Sequence, residues 1–495
     1  MRKGAGGVAP LVSLERRTRR PLQSQIYEAL RSAIAERRLG AGARIPSTRA
    51  LAVELHVSRI PVLNAYAQLL AEGYLESRTG AGTFVSSSLP GVAGATGGPK
   101  GEARHAKRGA RKTAARALRI PRYEQLAWLG GQGAFNLSEA DTSSFPFRAW
   151  ARLAARYWRT MRTRPLVYGD AKGLRELREA IAGYLRAARS VRCEWEQILI
   201  VSGSQQGLDL TARVLLEEED AAWIEEPGYW LAREALASIG NRIVPVPVDA
   251  EGLVVARGIE MAPRARAAFV APSHQFPLGA TMSASRRMQL LEWAEKAGAW
   301  IVEDDYDSEY RYDNKPIASL QGLDRSERVI YVGTFSKVMF PALRVGYVVA
   351  PGDLADRFAA VRHAMDVSPA HQNQAVLAEF IREGHFSRHI RRMRQIYDER
   401  REELVRCVQE ELGDAAQIHG ARAGMYLTVT LGKGYRDREM SARAAKEGLW
   451  LWPLSQTYAG RAARQGFVLG FGGTPAREIA PAVGRLKQIL RARGG

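Results

Sequence analysis

The stretch "VIYVGTFSKVMFPALRVGYVVAP" sets a single lysine, Lys337, on a short turn between two apolar runs, with Ser336 before it and Arg344 after it. An amine at the mouth of a sheet can condense with a carbonyl group. Asp304 sits at the end of another apolar run, "AWIVEDD", so its carboxylate is expected to face the same crevice. A lysine amine and a carboxylate together suit pyridoxal 5'-phosphate, which forms a Schiff base with the one and pairs its pyridinium nitrogen with the other. An acidic strand end also suits a metal ion, but no histidine follows at ligand spacing. "SGSQQGLDLTARVL" is a small-residue turn entering a helix, so backbone N–H groups near Ser204 and Gln205 would hold a phosphate, and Arg344 could add a bidentate pair. Tyr229, in "EEPGYW", either stacks on a pyridine ring or packs in the core.

These side chains need a frame that delivers them to one place. After about residue 121, strand-like runs ("QILIVSG", "AAWIEEP", "RAAFVAP", "AWIVEDD", "RVIYVGT", "RVGYVVAP") alternate with amphipathic helical stretches. That pattern predicts an α/β domain over residues 121–495, built on a mostly parallel sheet with helices on both faces. Ligands collect at the carboxyl ends of such strands. The runs end on residues able to do chemistry: Ser204, Glu225, Ser273 with His274, Asp304, and Ser336 with Lys337.

The front of the chain differs. Residues 1–120 hold 21 Lys and Arg against 7 Asp and Glu, a net +14 of the whole chain's +20, which favours a polyanion such as DNA as partner. Within residues 18–87, Ile26, Leu30 and Ile34 predict one helix, stopped by "GAG" and Pro46. A second helix is capped by Ser47 and runs through Leu51 to Leu55. A third is capped by Ser58, with Leu63, Tyr66 and Leu70 as its inward positions. "GYLESRTGAGTFV" reads as a hairpin with Gly80 and Gly82 at its tip, completing a winged helix-turn-helix of mainly α character. Residues 88–120, small and then basic, read as a flexible linker. No apolar stretch is long enough to span a membrane, and the N-terminus lacks the apolar core of a secretory signal, so a cytoplasmic protein without membrane partners is expected, nucleoid-associated when bound to DNA. Cys193 and Cys407 are read as buried, reduced thiols.

Residues 121–495, through "YGDAKGLRELREAIAGYL", "PSHQFPLGATMS", "EDDYDSEYRY" and "GTFSKVMFPALRVGY", resemble a fold-type I, aspartate aminotransferase-like domain with a smaller C-terminal subdomain. "ARIPSTRALAVELHVSR" and "AYAQLLAEGYLESRTGAGTFV" resemble a GntR-type DNA-binding domain, and the combination resembles the MocR subfamily of GntR regulators. The resemblance implies that Lys337 carries the cofactor, that Asp304 pairs with its ring nitrogen and that Tyr306 donates to its ring oxygen. It also implies phosphate binding by Arg344, Ser204 and Gln205, stacking by Tyr229, and reach by Tyr168 to the phosphate of a neighbouring subunit in a homodimer. His274 and Gln275 stand where aminotransferases place a cofactor-contacting asparagine. On double-stranded operator DNA, the resemblance gives Arg59, on the helix that starts at Ser58, a base edge. It gives Arg44, Ser47 and Arg49 phosphate or base, and the wing at Gly80 and Gly82 the minor groove. Pro61 departs from the polar residue usual there. The implied function is a regulator sensing pyridoxal phosphate or a small amine, and the rival is a working aminotransferase with a DNA-binding appendage. Such enzymes hold a substrate carboxylate with an arginine on the last strand; "GFVLGFGG" has Val468 or Leu469 there, with Arg464 ahead of the strand.

Overall fold

A computed structural model of the chain describes residues 11–15, 18, 20–87, 112–121, 133–161, 167–313 and 317–492. The chain divides into two compact units, Met1–Arg111 and Lys112–Gly495. Most of the expected linker, 88–111, lies outside the described residues; its last part includes a short helix, Ala115–Leu118.

In the first unit, α1 (Leu22–Ala35), β1 (Arg44–Ile45), α2 (Thr48–Glu54), α3 (Arg59–Ala71), β2 (Leu75–Arg78) and β3 (Gly82–Val85) follow in order. Ile26, Leu30 and Ile34 point inward as expected. The first helix ends at Ala35, ahead of the glycines expected to stop it, and β1 joins β3 as a strand the sequence did not announce. Ser47 caps α2 by accepting from the Ala50 N–H at 3.2 Å. Ser58 holds the N-cap position of α3 without a side-chain cap bond. The inward register of α3 also differs: Val62, Ala65, Tyr66 and Leu69 are buried, whereas Leu63 and Leu70 are exposed. The physical cause is that α3 carries apolar residues on both faces, so spacing alone does not fix its rotation.

The second unit centres on an eight-stranded sheet made of β4 (Ile198–Val201), β5 (Ala221–Glu226), β6 (Arg242–Asp249), β7 (Gly252–Leu253), β8 (Ala267–Val270), β9 (Trp300–Asp305), β10 (Val329–Thr334) and β11 (Gly346–Val349). Its order is β4-β11-β10-β9-β8-β5-β6-β7. The pairings β10–β9, β9–β8, β8–β5 and β5–β6 are parallel, and β11 lies antiparallel between β10 and β4. All six strand-like runs are strands. The smaller subdomain carries a second sheet of β12 (Ala416–His419), β13 (Tyr426–Leu431), β14 (Trp452–Pro453) and β15 (Gln465–Gly470), in the order β12-β13-β15-β14. Cys193 and Cys407 are buried and free.

The register of α3 has a direct consequence. Leu69→Ala should destabilise the first unit by about 2–5 kcal/mol, the cost of truncating a buried leucine, while Leu70→Ala should change stability by under about 0.5 kcal/mol. Denaturant unfolding of the full chain measures both; equal losses would contradict this register.

Candidate functional site

Strand register brings the predicted residues together. Gly346 of β11 pairs with Thr334 on one side and Val201 on the other, so the turn after β10, carrying Ser336 and Lys337, lies beside the Gly203 turn that opens helix Ser204–Leu215. On the other flank Asp304 of β9 pairs with Val332 of β10. Because strand side chains alternate, Asp304 shares a face with Val302, which packs in the core cluster containing Leu208 and Leu210 of that same helix.

Lys337 is half-buried, and its ammonium donates to the Leu137 carbonyl at 2.9 Å. Burial lowers its pKa and Asp307 opposes that shift. Asp304 is pushed up to about 7, first by burial and then by the neighbouring charges of Asp305 and Asp307. Its buried Oδ1 has no hydrogen-bond partner among the described residues. A protonated pyridine nitrogen would satisfy that oxygen and restore the carboxylate charge. Among the described residues, Ser336 Oγ, His274 Nε2, Gln205 Oε1 and Glu225 Oε1 are likewise buried without a hydrogen-bond partner. This donor and acceptor set fits pyridoxal phosphate.

The Gly203 end of the crevice is equally specific. Gly203 adopts φ +85, and a Cβ there would meet the Arg344 guanidinium at 2.9 Å. Arg344 itself is exposed, has φ +51, and donates to the Ser202 carbonyl at 2.5 Å. Guanidinium and helix N-terminus thus converge on one spot. The Gln205 side chain is committed elsewhere, donating to the Leu231 carbonyl at 2.8 Å, so only its backbone N–H is left for an anion.

Tyr306 Oη lies 2.8 Å from the His274 carbonyl and 2.7 Å from Tyr426 Oη. His274 is buried, with Nδ1 2.9 Å from Asp307 Oδ2. Gln275 donates to the Pro227 carbonyl at 2.8 Å and holds the loop to β5. Tyr229 is half-buried and packs edge-on with Trp230 and Phe276. Phe276, Tyr426, Trp452 and Val468 form one apolar cluster, against which Leu137, Tyr229 and Tyr306 pack. Val468 and Leu469 are fully buried and Arg464 is exposed. Tyr168 stands 85% exposed.

Among these, Leu137, Phe276, Tyr426 and Trp452 escaped the sequence reading. Leu137 lies 200 residues from Lys337 and Tyr426 lies 120 from Tyr306, with no local signal to mark either. Glu225 was visible as a charge in an apolar run; burial pushes its pKa up to about 8.

In the first unit, Arg59 Nε donates to Thr48 Oγ1 at 3.2 Å, and Arg44, Arg49 and Ser58 are exposed. Gly80 and Gly82 take φ +76 and φ +116 at the hairpin.

Residues 133–469 match the aminotransferase class I and II family, and residues 22–85 match the gntR family of bacterial regulatory proteins. A probable rhizopine catabolism regulatory protein, MocR, of Rhizobium meliloti is 39% identical over 97% of this chain and 96% of its own. The chain belongs to the MocR-type GntR regulators. A second such regulator, the HTH-type pyridoxine biosynthesis regulator PdxR of Corynebacterium glutamicum, is 32% identical over 91% of this chain and 92% of its own. Among solved structures, the kynurenine aminotransferase of Pyrococcus horikoshii, in complex with PMP, superposes with a TM-score of 0.71 at 27% identity, covering 77% of this chain and 96% of its own. MocR-type regulators thus join a DNA-reading unit to a unit with a pyridoxal phosphate-binding fold.

The raised Asp304 pKa fixes a pH dependence for the cofactor-free protein. The folded chain holds this proton to about pH 7 and the unfolded chain releases it near 3.8, so stability falls as pH rises between those values. Asp304→Asn removes that cost and should raise the melting temperature more at pH 8 than at pH 5. Equal gains at both pH values in thermal scans would sink the assignment.

Proposed function

We propose that this regulator holds pyridoxal phosphate on Lys337 and changes its affinity for operator DNA when the cofactor, or a small amine reacting with it, is bound. When bound, pyridoxal phosphate supplies an aldehyde that condenses with amines. The geometry supports the following residue roles. Burial keeps the Lys337 amine closer to its neutral, nucleophilic form. Asp304 Oδ1 accepts from the ring nitrogen, Tyr306 turns its hydroxyl proton from the His274 carbonyl to the ring oxygen, and His274 and Ser336 offer further unpartnered polar atoms. Arg344, with the Ser204 and Gln205 N–H groups, takes the phosphate, while Tyr229 covers the ring. Arg59, Arg44, Ser47, Arg49, Ser58 and the Gly80–Gly82 wing form the DNA-contacting surface, which operates in the cytoplasm at the nucleoid.

One observation carries the regulatory reading over turnover: the last strand offers buried Val468 to the site instead of a cation, so a substrate carboxylate finds no bidentate partner on β15. An amine without a carboxylate, or the cofactor alone, is the effector this wall suits.

A homodimer completes the site. Val167 and Tyr168, 70% and 85% exposed, adjoin Val367 through the bond from the Gly169 N–H to Ser368 Oγ, and an apolar surface of this kind is suited to burial against a second copy. Tyr168 then reaches the partner's phosphate.

Borohydride reduction of the yellow protein followed by peptide mass mapping should find the cofactor on Lys337; an adduct on another lysine would refute the site. Operator affinity measured with and without pyridoxal phosphate or candidate amines should change by at least about tenfold, a coupling of about 1.4 kcal/mol. Multiple-turnover transamination on the same preparation should remain slow. Unchanged DNA affinity with sustained turnover would favour the enzyme.

A further inference from the structure

The inward residues of α3 fix what it shows to the outside. With about 100° per residue, the burial of Val62, Ala65, Tyr66 and Leu69 places Ile60, Asn64 and Ala67 on the opposite stripe, with Leu63 on its flank. The polar neighbours lean away from the N-terminal half of this stripe. Arg59 Nε is drawn towards α2 by Thr48 Oγ1 at 3.2 Å, and Asn64 Nδ2 donates to Gln23 Oε1 of α1 at 3.0 Å. Pro61 has no side-chain donor. Ile60, 68% exposed, is therefore the side chain that projects, with Leu63, 47% exposed, beside it.

Single exposed apolar residues are ordinary on protein surfaces. Two together on the outward face of a recognition helix are placed where the major groove offers one apolar group, the C5-methyl of thymine. We infer that Ile60, flanked by Leu63, reads thymine C5-methyl groups, so that this regulator selects A·T pairs at the centre of each half-site by apolar contact. Arg59, held at the edge of the stripe, is left for a neighbouring base or phosphate. The inference rests on the DNA-reading role proposed above and adds which chemistry does the reading.

The test selects bound duplexes from a random library with the full-length protein at fixed salt. The enriched duplex is then remade with deoxyuridine for thymidine at one position at a time, which removes only the methyl group, and affinity is followed by fluorescence anisotropy. At one or two positions the change should weaken parental binding about fourfold, the worth of one buried methyl. The same change should leave the affinity of Ile60→Ala or Leu63→Ala unaltered. Both side chains are exposed, so an unchanged unfolding midpoint verifies that the variants are folded. Insensitivity to deoxyuridine at every position, or an equal loss in parent and both variants, would overturn the inference and leave Ile60 and Leu63 to a protein contact. A library yielding no enriched sequence would remove the DNA-reading role itself, and this inference with it.

Discussion

The buried pair between Arg189 and Asp305 is the contact on which the Asp304 end of the sheet depends. Strand β9 ends in three consecutive carboxylates, an arrangement that repels itself unless each finds a separate answer. Glu303 accepts the N–H groups of Leu320 and Gln321, both at 2.8 Å. Asp305 takes the Arg189 guanidinium at 2.8 Å together with the Tyr331 hydroxyl, and Arg189 spends its remaining donors on Ser273 and the Ile317 carbonyl. Strand alternation puts both of these carboxylates on one face and Asp304 alone on the other. Breaking a buried pair of this kind costs about 3–5 kcal/mol, because the surviving charge stays desolvated. Arg189 thereby lets Asp304 stand next to another aspartate while keeping a free lone pair.

What the sequence made legible follows from how local each signal is. The six strands of β-branched and aromatic residues declare themselves within four to six positions, and their terminal polar residues inherit a common location from the parallel topology. Lys337, Asp304 and the Gly203 turn were visible for that reason. Arg189 was not, since it lies 116 residues from Asp305 on the exposed-looking end of an arginine-rich helix. Tyr426 and Leu137 were hidden in the same way. The α3 register failed for a different reason: Ile60, Leu63 and Leu70 are apolar residues that the first unit leaves outside, so hydrophobic spacing pointed at two faces at once. A conflict of that kind between pattern and packing is expected where a surface has a use beyond stability.

The electrostatics of the site also explain how a bound small molecule could report elsewhere. Burial pushes Lys337 and Asp304 toward their neutral forms, one down and the other up. Burial therefore weakens the charged form of each, and the folded chain carries that cost. A ligand with a pyridinium and a phosphate would supply the opposite charges at Asp304 and at Arg344, so its binding free energy would include relief of the protein's own desolvation at Asp304. A ligand lacking either group recovers only part of it.

Relief alone does not make a switch. A ligand shifts an equilibrium only by the difference in its affinity for the two arrangements, so the site itself must differ between them. The side chains best suited to differ belong to different subdomains: Lys337 and Tyr306 follow strands of the large sheet, whereas Tyr426, Trp452 and Val468 lie in strands of the smaller one. The Tyr306–Tyr426 contact at 2.7 Å joins the two directly. Tyr306 donates to the His274 carbonyl, and a ligand that accepted this proton instead would load the hydroxyl pair differently from the ligand-free site. On the regulatory reading proposed above, coupling to DNA would require that one subdomain arrangement favour DNA binding over the other, and β15, with buried Val468 where a cation would stand, gives a carboxylate nothing to hold.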